Sequence, residues 1–101
     1  MIQTASELEV SAKSDAAPPG DLSLELTALW HAKAGDWEAS HNIAQDIETE
    51  LGFWIHAHLH LIEGDIGNAG YWYNRARRPA GDSGDLDREW VEIVTVALAQ
   101  G

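Results

Sequence analysis

Two stretches of this chain repeat each other. Residues 28–47 read ALWHAKAGDWEASHNIAQDI, and residues 57–76 read AHLHLIEGDIGNAGYWYNRA. Each runs from a helix-like segment through a Gly-Asp pair, Gly35-Asp36 and then Gly64-Asp65, into a second helix-like segment. The offset is 29 residues between the glycines and 30 between the alanines that follow, Ala39 and Ala69. A period of this size with a helix on each side of a turn marks a helical repeat, because each unit buries its apolar face only against a neighbour. Such architectures mostly build docking surfaces rather than reaction centres.

The apolar spacing divides the chain further. Asp21 is a suitable N-cap for a first helix carrying Leu22, Leu26, Leu29 and Trp30, which Gly35 ends in a left-handed conformation. Asp36 caps a second helix with Trp37, Ser40, Ala44 and Ile47 along one face, and residues 49–52 make a weak break. A third helix holds Leu51, Trp54, Ile55, Leu59 and Ile62, and Gly64 closes it. Asp65 caps a fourth, with Ala69, Trp72, Tyr73 and Ala76, and Pro79 stops it. After the turn-forming residues 80–85, a fifth helix presents Leu86, Trp90, Ile93, Val94, Ala97 and Leu98. The fold class expected is all-α: two helix-turn-helix hairpins and a C-terminal capping helix that covers the apolar face left open by the stack. Residues 21–101 form that single repeat domain. Residues 1–20, rich in Ala and Ser and ending in Pro18-Pro19-Gly20, are expected to be a flexible tail, since a helix around Glu7–Lys13 would be marginal alone.

The second unit, with Gly64, Asp65, Ile66, Ala69, Tyr73, Ala76 and Pro79, resembles the tetratricopeptide repeat, and Ala57 stands where that family keeps a small residue for close helix approach. In the first unit Ala28, Gly35, Asp36 and Trp37 match, while Ala39 comes one residue early. The resemblance implies paired antiparallel helices and a binding rather than a catalytic role. Residues 35–41 and 52–79 also look like a small group of uncharacterised bacterial proteins that share a segment of the type WIHAYLHRxEGDxxNAxYWYxRAGRP preceded by GDWxxAH. That likeness supports the fold and implies no activity.

Charge limits the partners. Seventeen acidic residues face six Lys and Arg, for a formal net charge of −11. Nucleic acid and anionic membranes both require a positive footprint, so neither is expected as a partner. Three of the six cations gather at Arg75, Arg77 and Arg78, the one place where an acidic partner would find a counter-charge. There is no cysteine, which removes disulfides and thiolate ligands. No basic region followed by an apolar run opens the chain and no run of apolar residues is long enough to span a bilayer, so the expected compartment is the cytoplasm.

Three groups of residues carry chemistry. His56 and His60 are four apart and share a helix face that Glu63 extends, and His41 on the second helix is placed to reach them. Two or three imidazoles with a carboxylate at this spacing suit zinc or nickel. The structural alternative makes the same residues inter-helix packing groups, and it is favoured because a ligand histidine needs a supporting second partner. His58 points away from this face and is expected to be exposed. The five tryptophans, one per helix, read first as core anchors. Trp54 and Tyr71, toward the edges of their stripes, are the candidates for an aromatic-lined groove. Arg75 and Arg78 complement the end of the fourth helix or clamp a carboxylate.

Enzyme motifs are missing: there is no phosphate-binding Gly-rich loop, no GxSxG and no thiol, and Ser40-His41 are helix neighbours that diverge by about 100°. No cofactor is expected. The sequence therefore points to a small interaction module that binds a protein or peptide partner, with self-association left open, through Trp54, His58, Tyr71, Arg75 and Arg78. The alternative is a metal- or small-ligand-binding helical domain built on His41, His56 and His60 with Glu63.

Overall fold

The structure is a computed structural model that describes residues 2–100. Among them are six α-helices and no strand: α1 (Ala5–Ser14), α2 (Leu24–Ala34), α3 (Trp37–Ala44), α4 (Glu50–Ile62), α5 (Ile66–Ala76) and α6 (Leu86–Gln100), the last preceded by a 3₁₀ turn at Ser83–Asp85. The fold is all-α. No helix among the described residues is long and apolar enough to cross a membrane.

The two Gly-Asp pairs set the turns. Gly35 and Gly64 take left-handed φ values of 90° and 83°, where a side chain would strain the backbone. Asp36 and Asp65 then cap the next helices, accepting from the backbone N–H groups of Ala39 and Asn68. The result is two antiparallel hairpins, α2–α3 and α4–α5, joined by a loop that Thr49 closes by capping α4. Gly52 permits that loop: a Cβ there would lie 2.1 Å from the Ile47 carbonyl oxygen. The cap of α2 is Ser23 rather than the expected Asp21, because its hydroxyl is the one that reaches the Leu26 N–H.

Helix α4 is central. Ten of its thirteen residues are buried, so its successive side chains meet different neighbours on all sides. α5 and α3 pack on one side, and α6 packs against α2 and α4 and covers the first helices of both hairpins. Indole N–H groups tie the layers together. Trp37 donates to the Leu59 carbonyl at 2.7 Å and Trp90 to the Leu29 carbonyl at 2.9 Å. Ser40 adds a bond to the Ala28 carbonyl at 2.6 Å. Trp30, Trp54 and Trp90 are core residues, while Trp37 and Trp72 pack against the core half-buried.

The expected flexible tail is corrected over residues 5–14. Thr4 caps α1 by accepting from the Glu7 N–H, and Leu8 is wholly buried against the domain. The Trp30 indole donates to the Ser11 hydroxyl at 3.0 Å, a contact nineteen residues apart that fixes α1 to α2. An amphipathic helix that is marginal in isolation becomes stable once its apolar face has a surface to cover.

Candidate functional site

Helices α3 and α4 bring three histidines together. His41 extends from α3, while His56 and His60 extend one turn apart from the face of α4 that α3 covers. His41 Nε2 and His56 Nε2 are 3.1 Å apart. One ring nitrogen from each of the three residues falls in a set within 4.8 Å of one another. His60 Nδ1 lies 2.5 Å from Glu63 Oε1. A carboxylate only accepts, so this contact places a proton on Nδ1 of His60 and leaves Nε2 as the remaining ring nitrogen.

Aromatic rings bracket the cluster. The Trp37 indole stacks on His41 with centroids 4.7 Å apart, and Trp72 stacks on His56 at 4.0 Å. The Trp37 edge also meets His60. These rings orient the imidazoles and thin the water around them. His56 and His60 are both buried, and His41 is half-buried. Burial, followed by repulsion from His41 and His60, pushes His56 down to about 4. Burial and then His60 push His41 down as well, with Glu63 opposing. Both rings are therefore neutral near pH 7, and one of the two facing Nε2 atoms donates its proton to the other.

The arrangement can be compared with the geometry of a metal centre. Zinc–nitrogen bonds of 2.0–2.1 Å in a tetrahedron put ligand nitrogens about 3.3–3.4 Å apart. The His41–His56 separation of 3.1 Å is close to that edge, and the His60 nitrogen lies within 4.8 Å of both. Glu63 supplies the carboxylate behind an imidazole that metal-ligating histidines ordinarily have. Three imidazole nitrogens with no thiolate suit zinc, nickel, cobalt or copper(II) rather than magnesium or calcium.

The other candidate residues fall into two separate places. Contrary to the expected exposure, His58 is only 2% exposed: it faces α6 and its Nδ1 lies 2.5 Å from Glu89 Oε1. Trp54, expected at a groove edge, is 4% exposed and its indole N–H approaches Glu89 Oε2 at 3.3 Å. Arg78 covers the Trp54 ring at 3.9 Å. Tyr71 and Arg75 lie apart from these. Tyr71 is 56% exposed, and the Arg75 guanidinium sits 4.4 Å over Phe53 and 5.1 Å over Trp72. The five residues expected to form one binding surface are thus divided: Trp54 and His58 are buried in a network with Glu89, Arg78 is exposed above Trp54, and Tyr71 and Arg75 form a separate exposed patch, because α6 covers the side of α4 that carries Trp54 and His58.

Sequence reading missed Glu89. It accepts from the Tyr73 hydroxyl as well as from Trp54, so one carboxylate joins α4, α5 and α6. Burial alone pushes its carboxyl up, but the hydrogen bonds from His58, Tyr73 and Trp54 outweigh this and hold it below the usual range. Burial and the bond to Glu89 keep the Tyr73 hydroxyl protonated far above its ordinary value. Nothing in the spacing of one glutamate on an acidic helix distinguishes it from its solvated neighbours.

No protein-family model matches the chain, and neither a curated protein nor a solved structure matches it.

Proposed function

We propose that this is a metal-binding helical domain that holds one zinc-class transition ion at His41, His56 and His60, with Glu63 behind His60. The single observation that carries the reading is the convergence of three imidazole nitrogens from two helices within 4.8 Å. Two of the ligands are one turn apart on the central helix, and the third comes from α3, so a bound ion ties the short eight-residue α3 to α4. The fourth coordination position falls to water or a small ligand. The clefts beside α1, beside Glu89 and beside Lys33 are lined by other residues than these histidines, which favours a structural or regulatory ion over a catalytic one. Zinc titration followed by calorimetry tests the reading. The expected result is one ion per chain, a higher melting temperature that a chelator reverses, and loss of both in His41→Ala. Absence of stoichiometric binding would remove it.

A protein or peptide partner is a second reading. It is favoured by the exposed cluster of Tyr71 and Arg75 with Phe53 and Trp72, since aromatic and arginine side chains carry most interface energy. Arg75 would meet an acidic group on the partner. Binding of a glutamate-rich peptide that Arg75→Ala abolishes would support it; no binding at low salt would count against it.

A further inference from the structure

Three cationic side chains among the described residues lie over aromatic rings. Lys33 lies 4.4 Å from the Trp90 centroid and Arg78 3.9 Å from that of Trp54, each over a single residue's ring. Arg75 differs. Its guanidinium carbon is 4.4 Å from the Phe53 centroid, 5.1 Å from Trp72 and 5.9 Å from Tyr71, all inside the range of cation–π attraction. Tyr71 and Trp72 stand one turn before Arg75 on α5, and Phe53 comes from α4, against which α5 packs. The rings do not form a flat stack. Tyr71 stands at 89° to Trp72, and Phe53 is tilted by 39° to it, so they border the cation from more than one direction. Stacking on His56 at 4.0 Å holds the Trp72 indole in place.

The rings are all that holds the Arg75 head. Arg77 pairs with Glu50 and Arg88 with Glu92, whereas the Arg75 guanidinium has no ion pair and no hydrogen bond among the described residues. Its N–H donors are left to water, so its withdrawal gives up no bond to protein. Tyr71 is exposed, which leaves the group of rings open to solvent. A place that offers π-faces and no paired carboxylate selects among cations. A primary ammonium or a guanidinium needs acceptors for its N–H groups when it leaves water. A quaternary ammonium has no N–H and needs only the rings. The net charge of −11 adds a field that favours a cation.

We propose that Phe53, Tyr71 and Trp72 form an aromatic cage for a quaternary ammonium group, which Arg75 fills until such a ligand displaces it. An acidic partner would bind the Arg75 head, whereas the organic cation binds the rings beneath it. Arg75→Ala therefore acts in opposite directions on the two. The cage does not depend on metal at the histidine triad.

The test is an NMR titration of the full chain with choline and with its neutral tert-butyl analogue, in which carbon replaces the nitrogen. A chelator is present throughout, so that metal plays no part. Choline is expected to shift the ring signals of Phe53, Tyr71 and Trp72 in a saturable way. The neutral analogue should bind about tenfold more weakly, because it keeps the shape and loses the charge. Arg75→Ala, by emptying the cage, should tighten choline binding about threefold, and Tyr71→Leu should weaken it by about as much. Phe53→Leu serves as a second ring variant. A peptide bearing trimethyllysine, titrated in parallel, identifies the source: tighter binding than choline assigns the group to a protein side chain, weaker binding to a free solute. Failure of choline to saturate, equal affinity for the neutral analogue, unchanged or weaker binding in Arg75→Ala, or unchanged binding in both ring variants would each overturn the proposal.

Discussion

His41 and His56 meet Nε2 to Nε2 across 3.1 Å, fifteen residues apart in the chain and on different helices. Two facing imidazole nitrogens share at most one proton between them. Bringing a third histidine to the same point removes water without supplying a counter-charge, apart from Glu63 on the far nitrogen of His60. On the proposed reading a cation takes up the lone pairs of this cluster, and several consequences can be measured.

Acid should destabilise the metal-free protein. His56 is held at about 4 in the fold against an ordinary value of 6.5. Between those values the unfolded chain binds the proton and the folded chain does not, so folding stability falls as pH drops from about 6.5 toward about 4. His41 shifts in the same direction. Urea unfolding at a series of pH values checks the slope, and NMR titration of the His56 ring checks the assignment. A folded His56 value above that of the unfolded chain would contradict it.

Helix α1 should contribute to stability. Leu8 is fully buried, and truncating it leaves a cavity against α2 and α6. Leu8→Ala is expected to cost about 2–5 kcal/mol, read from denaturant midpoints. A change within experimental error would show that α1 detaches in solution.

Glu89 should be the most sensitive acidic residue. Glu89→Gln removes the charge that accepts from His58, Tyr73 and Trp54, and is expected to cost about 3–5 kcal/mol. Tyr73→Phe removes one hydrogen bond to that charge and should cost about 1.5–3 kcal/mol. Equilibrium unfolding of the two single variants and the double variant separates the coupling from the individual losses.

Gly52→Ala should be destabilising despite the better helix propensity of alanine. Its Cβ would press on the Ile47 carbonyl, side chain and all, forcing the α3–α4 loop off the start of α4. A lowered melting temperature checks this; a rise would mean that the loop moves freely.

Much of the fold was legible because local chemistry repeats. Gly35-Asp36 and Gly64-Asp65 each combine a left-handed stop with a capping carboxylate, so the turns could be placed to the residue. The face shared by His56 and His60 follows from helix geometry alone. The position of α6 does not, since an amphipathic stripe states that a helix is covered but not by what. His58 and Trp54 were misread for that reason: the surface that buries them belongs to a helix some thirty residues away, through Glu89. Helix α1 was read as a marginal helix in a tail because Leu8, among Ala and Ser, gives too little periodicity to show that the helix docks. Trp37 and Trp72, read as core, are half-buried because their inner faces are spent on His41 and His56.

The most direct measurement is a long-range imidazole NMR spectrum of the labelled chain, recorded as zinc is added to the metal-free protein. The chain has five histidines, and only His41, His56 and His60 belong to the proposed centre, so His31 and His58 serve as internal references. One equivalent of zinc is expected to shift those three rings together, in slow exchange, while leaving the references in place, with His60 retaining its proton on Nδ1 against Glu63. Shifts spread over all five rings, or none at stoichiometric zinc, would contradict the account and return the triad to a packing role between α3 and α4.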